Sequence, residues 1–248
     1  MSTILNVEEE KKGFFKENKV MLIVIAVVAL IVAAIFFFVL KEEKPLETPD
    51  FKTQYSEVEV GATVAEITVK DYGTIKIQLF ESKAPKACKN FITHAKDGYY
   101  DGVTFHRIID DFMIQGGDPT GSGSGGESIW GTGFENEITN DLLPIRGSLC
   151  MANTGQENSN GSQFFIVQKD SYMIEDVMTL RKADVPDELV DYYKEVGGAC
   201  WLWGKHTVFG QVFEGMDVVD KIAAVETDSN DAPNTEVVIE TVKIYQYK

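Results

Sequence analysis

The sequence predicts a mainly β domain, built as a closed antiparallel barrel or a sandwich, behind a single N-terminal transmembrane helix. Two observations lead to this prediction. Short segments that alternate apolar and polar residues recur along most of the chain with few helical patterns between them, and an unbroken apolar run lies near the N-terminus. Many short strands with few helices are typical of barrels and sandwiches. The 248 residues suffice for one membrane segment and one domain of ~100–200 residues.

The apolar run covers residues 20–40 and reads VMLIVIAVVALIVAAIFFFVL, with no charged residue, Gly or Pro. As a helix with a rise of ~1.5 Å per residue, it spans about 30 Å, the hydrocarbon thickness of a bilayer. A cleaved signal peptide has a shorter apolar core of ~7–15 residues and a small-residue cleavage site, whereas this run continues into FFFVLKEEK. We therefore predict an N-terminal tail over 1–19 and a retained transmembrane anchor over 20–40.

The lysines that flank the anchor predict its orientation. Four lysines precede the run and three follow it: Lys11, Lys12, Lys16 and Lys19, then Lys41, Lys44 and Lys52. Because the cytoplasmic flank of a span carries the excess of basic residues, this count favours a cytoplasmic N-terminus by a small margin. The sequence thus predicts a single-pass membrane protein whose C-terminal domain lies outside the cytoplasm.

A polar linker and an acidic domain follow the anchor. Residues 41–57, KEEKPLETPDFKTQYSE, contain two prolines and no hydrophobic period, which is typical of a linker. The formal net charge is −16, and residues 1–40 carry four Lys and four Glu, so the excess lies in residues 41–248. A domain this acidic offers no basic stripe for a phosphate backbone. We therefore predict a domain over 58–248 that does not bind nucleic acid.

The elements of this domain can be placed in order. TVAEITVKDYGTIKIQLF, residues 63–80, alternates around KDYG and predicts a strand, a tight turn and a second strand. APKACKNFITHAKDG, residues 84–98, predicts a helix with Pro85 near its start and Gly98 at its end. Six further segments predict strands: FHRII, FMIQG, GSLCMA, SQFFIVQ, HTVFGQVF and EVVIETVKIYQY.

One charged segment, residues 173–200, interrupts the succession of strands. Within it, PDELVDYYKEVGG predicts a helix with Pro186 near its first turn, acidic residues at its N-terminus and a Gly pair at its end. We interpret the whole segment as an insertion in the domain.

The cysteines indicate no disulfide framework. Cys88, Cys150 and Cys200 are odd in number and show no C-x-x-C spacing. At least two are predicted to be small buried apolar residues. One structural disulfide stays open as an alternative if the domain lies outside the cell.

No metal or cofactor site is predicted. The spacings H-E-x-x-H and H-x-H do not occur among His94, His106 and His206. Gly121, Gly123 and Gly126 match G-x-G-x-x-G, but the following residues, ESIWGTGF, do not form the helix that dinucleotide binding requires. A flexible loop is the better interpretation, and an oxidoreductase is disfavoured.

Four ordered blocks carry a family resemblance. They are FHRIIDDFMIQGGD (105–118), GSLCMANTG (147–155), NGSQFFI (160–166) and WLWGKHTVFGQVFEGMDVV (201–219). In order and approximate spacing they resemble the cyclophilin family of peptidyl-prolyl isomerases, over residues 60–248 apart from the insertion. The resemblance implies a closed eight-stranded antiparallel barrel capped by two helices. It also places the insertion directly before Trp201, at the rim of the active face.

The resemblance implies which residues act. The catalytic residues would be His106, Arg107, Phe112 and Gln115. The substrate-binding residues would be Met113, Ala152, Asn153, Gln163, Phe165, Trp201, Leu202 and His206. It further implies proline-containing polypeptides as partners, cyclosporin A binding associated with Trp201, and no metal or cofactor. Asp110 and Asp111 depart from the family pattern, because they stand where a Pro-Gly turn is frequent.

A permanent cation beside apolar residues suits this chemistry. The amide C–N barrier is ~18–20 kcal/mol, and an X-Pro bond crosses it unaided in tens to hundreds of seconds. Rotation localises the lone pair on the prolyl nitrogen, so a donor such as Arg107 binds the twisted state more strongly than the planar one. We also expect Gln163 to bond Arg107. The alternative is a non-catalytic peptide-binding module or holdase on the same scaffold, which the intact Arg107 disfavours.

Overall fold

An eight-stranded antiparallel sheet forms the body of the structure, a computed structural model that describes residues 54–171, 173–182 and 185–248. The predicted tail over 1–19, the predicted anchor over 20–40 and most of the predicted linker lie outside the described residues. Within the described part, no helix has both the length and the apolar character needed to cross a bilayer.

The strands appear where the alternating segments predict them. Neighbours follow the order β3-β4-β6-β5-β7-β2-β1-β8, and every ladder between them is antiparallel. The bounds are β1 Thr63–Val69, β2 Gly73–Leu79, β3 Thr104–Ile109, β4 Met113–Asp118, β5 Ser148–Met151, β6 Phe164–Val167, β7 Val208–Glu214 and β8 Ile239–Gln246.

The sheet curls into a half-barrel, and the prediction of a closed barrel is wrong. The end strands β3 and β8 form no ladder with each other, and an isolated bridge joins Thr104 of β3 to Val238, the residue before β8. The irregular segment before β8 supplies the remaining bonds, since Phe105 N donates to Val237 O at 2.9 Å and Ile108 N to Asp231 O at 2.8 Å. The segment before β8 contacts β3 while it is still irregular. It therefore forms separate hydrogen bonds with β3 and no continuous ladder.

Two helices pack against the main core, as predicted. They are α1, Pro85–Lys96, and α4, Met216–Ala223. Their buried residues join the apolar interior of the sheet, where the Phe91 ring of α1 lies 5.4 Å from that of Phe164 in an edge-to-face arrangement. Pro85 occupies the first turn of α1, where its missing N–H costs nothing.

The insertion adds two helices, of which the sequence analysis predicted only the second. These are α2, Ile174–Lys182, and α3, Asp187–Val196, and a short 3₁₀ turn, Cys200–Leu202, follows them. The predicted stop of α3 is confirmed, because Gly197 adopts a φ of 72° directly after the helix. A second apolar cluster joins the insertion to the sheet: Leu143, Ile145, Leu180, Leu189, Val190, Tyr193 and Cys200.

The last part of the predicted linker belongs to the domain. Gln54 is only 2% exposed. Its Nε2 donates to Leu143 O and Ser148 Oγ, both at 2.8 Å, and Leu143 N donates to its Oε1 at 2.9 Å. Tyr55 Oη donates to Arg146 O at 2.6 Å. Gln54 and Tyr55 therefore pack on β5 and the segment before it, ahead of the predicted domain boundary at residue 58.

All three cysteines are buried and unpaired, so the structure contains no disulfide between Cys88, Cys150 and Cys200. The prediction that at least two of them are small buried residues is confirmed. Burial raises the pKa of the Cys200 thiol to about 11, which keeps it protonated at neutral pH.

Candidate active site

A cavity of about 210 Å³ opens on the outer face of β3, β4 and β6 and on the turn before β7. Nine of the twelve predicted site residues line it. They are Arg107, Phe112, Met113, Gln115, Ala152, Asn153, Phe165, Leu202 and His206.

Strand register brings the polar and apolar sides of this cavity together. Arg107 pairs with Gln115 across β3 and β4, and Gln115 pairs with Phe165 across β4 and β6. Directly paired residues of neighbouring antiparallel strands point to the same face of a sheet. The guanidinium, the amide and the phenyl ring therefore stand in one row, although they come from distant parts of the sequence.

The apolar side of the cavity is formed mainly by side chains that are almost fully buried. Met113 and Phe165 are 2% and 4% exposed, and Phe112 and Leu202 pack against the same cluster. The Phe165 ring meets His206 edge to face at 5.4 Å. The cavity has the size and lining that suit a small apolar ring such as a pyrrolidine.

Arg107 stands at the rim, where Asp231 holds its guanidinium. The Arg107 Nε lies 3.2 Å and the Nη2 3.1 Å from Asp231 Oδ2, and the two side chains are 43% and 40% exposed. The expected bond from Gln163 to Arg107 is wrong. Gln163 instead accepts a bond from Gln115 Nε2 at 2.9 Å and donates to the carbonyls of Gly123 and Gly125.

Asp231 is a site residue that the sequence analysis missed. It lies in the loop before β8, with a φ of 63°, and its carbonyl accepts a bond from Ile108 N on β3. Asp228 stabilises the same loop, because its Oδ1 accepts bonds from Asn230 N at 2.8 Å and Ala232 N at 3.0 Å. The signal available in the sequence was indirect: an Arg on an apolar wall needs an anionic partner, but no spacing rule says where in the chain to find it.

We predict that Asp231→Asn lowers kcat/KM for proline isomerisation about threefold to fivefold. A half-exposed ion pair contributes about 0.2–1 kcal/mol, and a threefold to fivefold change corresponds to the upper part of that range. Isomerisation of a short proline peptide measures the effect, and the fall should appear in kcat. In an Arg107→Ala background the same change should have no further effect. A loss as large in that background as in the wild type would mean that Asp231 acts without Arg107.

The polar rim opposite Arg107 is formed by Asn153 and His206. His206 Nδ1 lies 3.0 Å from Met151 O, so Nδ1 carries the proton and donates it to the carbonyl. Burial lowers the pKa of His206, and Lys205 lowers it further. The imidazole is therefore neutral at neutral pH, and Nε2 is an acceptor. Asn153 Nδ2 donates to Lys205 O at 3.0 Å, and this bond joins the Asn153 side chain to the turn that carries His206.

Three predicted site residues stand outside this cavity. Trp201 lies behind Phe112, with ring centroids 5.4 Å apart, and also contacts the cluster of the insertion. Gln163 lines a neighbouring cavity. The His106 ring faces Gly123, and neither ring nitrogen has a hydrogen-bond partner among the described residues. Burial lowers the pKa of His106, so this imidazole is neutral too.

The neighbouring cavity, of about 400 Å³, shares Gln115, Ala152 and Asn153 with the first one. Its wall is the Gly-rich loop, which the carboxylate of Asp118 organises by accepting bonds from Thr120 N at 2.8 Å and Gly125 N at 3.0 Å. Burial would raise the pKa of Asp118, but the bond from the Thr120 hydroxyl together with these backbone bonds outweighs it and lowers the pKa to about 2. The loop thus shapes a second recess that continues the first.

Comparison with known proteins agrees with this geometry. Residues 64–244 match the family model of the cyclophilin type peptidyl-prolyl cis-trans isomerase/CLD. A Staphylococcus aureus protein, whose name assigns it to the peptidyl-prolyl cis-trans isomerases, is 49% identical over 172 residues, which are 69% of this chain and 87% of the relative. A Staphylococcus epidermidis protein with the same name is 48% identical over the same length.

Solved structures give the same result. A Cryptosporidium parvum cyclophilin type peptidyl-prolyl cis-trans isomerase, crystallised in the presence of the dipeptide Ala-Pro, is 34% identical and superposes with a TM-score of 0.60. The match covers 74% of this chain and 99% of that one. A second crystal structure of that protein gives a TM-score of 0.61. The chain therefore belongs to the cyclophilin family of peptidyl-prolyl cis-trans isomerases.

Proposed function

We propose that this isomerase is anchored in a membrane by residues 20–40 and rotates X-Pro bonds of proteins folding outside the cytoplasm, with Arg107 acting on the rotating bond. The observation that supports the chemical part is the guanidinium of Arg107 at the rim of a cavity of about 210 Å³ that has a buried apolar side. The uncharged run over 20–40 and the lysines around it support the location.

In this mechanism the proline ring enters the apolar side of the cavity, against Phe112, Met113 and Phe165. A guanidinium carries five N–H donors, and Asp231 engages Nε and Nη2, so donors remain for the prolyl nitrogen. As the bond twists, conjugation is lost and the nitrogen lone pair localises. Arg107 then donates to that nitrogen, and this bond is stronger in the twisted state than in the planar one. No bond is broken, so no nucleophile is required.

The remaining residues hold the two sides of the bond apart. Gln115 lines both cavities, and its own amide is fixed by Gln163 at 2.9 Å. Asn153 follows β5, and its side chain bonds to the turn that carries His206. A peptide bound between Gln115 and Asn153 would be held on one side of the X-Pro bond while the other side turns. Holding one end raises the fraction of encounters that begin in a reactive geometry.

The direct test is a proline-isomerisation assay on the full chain in detergent, with a short X-Pro peptide and detection by exchange NMR. If the protein acts as an isomerase, it accelerates cis-trans exchange of the peptide, and this acceleration vanishes in Arg107→Ala. The non-catalytic peptide-binding module or holdase requires saturable binding of the same peptide with an unchanged exchange rate. Binding without acceleration would therefore overturn the proposed function.

We predict that the C-terminal domain is exposed on the outer side of the membrane. Protease added to intact cells should remove the domain, because the lysine count favours a cytoplasmic N-terminus by a small margin. Permeabilised cells serve as the control for cleavage. Complete protection in intact cells, with cleavage after permeabilisation, would show the opposite orientation.

We predict that cyclosporin A inhibits the enzyme and that Trp201→Phe weakens inhibition at least about tenfold. An indole offers a broad apolar face and one N–H donor, and Phe keeps the face but loses the donor. Losing the bond costs roughly 1 kcal/mol, and more if a buried acceptor is left without a partner. Inhibition of the peptide assay measures the change, and the variant should lose less catalysis than inhibition. Undiminished activity in saturating drug would contradict the prediction.

A further inference from the structure

The insertion carries an exposed apolar ridge, formed by Met173, Ile174 and Met178. These side chains are 51%, 71% and 53% exposed. Ile174 and Met178 are four residues apart in α2 and share one helix face, and Met173 directly precedes the helix. The other large apolar side chains that are exposed in the described residues come from scattered positions: Tyr55, Val60, Trp130, Ile138 and Tyr245. Three of them at the start of one helix are therefore unusual for the described surface.

An ion-pair network fixes the start of α2 to the rim of the proline cavity. The ammonium of Lys169, a side chain that is 4% exposed, lies 3.2 Å from Asp111 Oδ2 and 3.7 Å from Asp176 Oδ2. Ser171 N donates to Asp111 Oδ1 at 3.3 Å. Asp111 directly precedes Phe112, a residue that lines the cavity. The ridge therefore begins two residues after a segment bonded to the cavity wall.

A second contact links α2 to the other side of the same wall. Cys200 Sγ lies 3.6 Å from Asp176 O, and Leu180 of α2 packs in the cluster that Trp201 borders. The Trp201 ring in turn packs on Phe112 at 5.4 Å. The side chains of Trp201 and Phe112 thus connect α2 to the cavity.

We propose that Met173, Ile174 and Met178 bind apolar segments of the unfolded polypeptide whose proline occupies the cavity. This proposal rests on the proposed function. A polypeptide substrate continues beyond its proline by about 3.3–3.6 Å per residue, so a few residues are enough to reach the rim to which α2 is fixed. Methionine is unbranched and polarizable, and it adapts to side chains of many shapes. An exposed apolar surface next to a binding site is typical of an extended interaction surface.

The test uses the full chain with Met173→Gln, Ile174→Gln and Met178→Gln combined, since Gln is a good helix former and keeps the length of Met. Two substrates are compared: a short X-Pro peptide, and a reduced unfolded protein whose refolding is limited by one X-Pro bond. We expect unchanged kcat/KM on the peptide and a fall of about tenfold on the unfolded protein, carried by KM. The matched control, Val60→Gln with Ile138→Gln, removes two exposed apolar side chains outside the insertion and should change neither value.

Three other outcomes would overturn the docking proposal. The thermal unfolding of variant and wild type is first compared, and it should be equal. Equal losses of activity on both substrates would then show that the ridge supports the fold of the active site. No loss on either substrate would show that the ridge does not contact the client. A change in oligomeric state by sedimentation, with no loss on the protein substrate, would assign the ridge to a second copy of the chain. A wild-type chain inactive on both substrates would contradict the proposed function instead.

Discussion

Arg107→Ala is expected to lower kcat/KM for proline isomerisation by about 10²–10³-fold while the fold stays intact. The expected size follows from deleted transition-state donors in other active sites, which cost about 10²–10³ in rate. The fold should survive because the side chain is 43% exposed and its ion pair with Asp231 lies at the surface. Exchange NMR on a short X-Pro peptide measures the rate, and urea unfolding measures stability.

Arg107→Lys is the matched control for this prediction. Lys keeps the positive charge but replaces the planar fork by a single ammonium, so it cannot bind Asp231 and the prolyl nitrogen in the same geometry. We expect its activity to lie between those of the wild type and Arg107→Ala. Activity of Arg107→Ala within threefold of wild type would show that the guanidinium is not the group that lowers the barrier.

Lys169→Met is expected to lower the free energy of unfolding by about 3 kcal/mol, because removing one partner of a buried ion pair leaves an uncompensated charge. The Lys169 side chain is 4% exposed and that of Asp176 12%, so water cannot replace the lost ammonium well. Urea unfolding measures the change. The variant with Lys169→Met, Asp111→Asn and Asp176→Asn should recover much of the loss, since no charge is left without a partner.

The same network predicts how stability depends on pH. Burial would raise the pKa of Asp111, but the bonds from Ser171 and Lys169 outweigh it, and the pKa is lowered. A carboxyl with a lowered folded pKa stabilises the protein above its ordinary pKa and loses this contribution as pH falls through the folded value. Wild type should therefore lose stability on acidification more steeply than Lys169→Met. Parallel pH profiles would contradict this role of Lys169.

Local pattern predicted the elements of the fold, and long-range geometry decided the rest. The alternation over 63–80 predicted β1, β2 and the turn between them, and Pro186 and Gly197 bracketed α3 as expected. Closure of the barrel could not be predicted in this way. It depends on where the chain before β8 reaches β3, and neither hydrophobic period nor turn chemistry determines that distance.

In the candidate site, too, local motifs located some residues, and only the folded structure revealed others. Motif blocks located Arg107, Gln115 and Phe165, and strand register explains why they meet in one row. The partner of Arg107 was missed because Asp231 lies 124 residues away in a loop with no motif. The role of Asp111 was missed for the same reason. Its carboxylate pairs with Lys169, which is far from it in sequence, so the replacement of the Pro-Gly turn could not be interpreted from local pattern.

The docking of Gln54 decides where the domain can be cut from its N-terminal segment without harm. A protease that cleaves ahead of Gln54 would release a domain whose buried bonds to Leu143 and Ser148 are all retained. A cut after Tyr55 would remove Gln54 and strand its buried partners, at a cost of roughly 1–3 kcal/mol for each unsatisfied group. Release of a stable domain by proteolysis thus requires a cut ahead of Gln54, and trimming a few residues further would yield a weakened product.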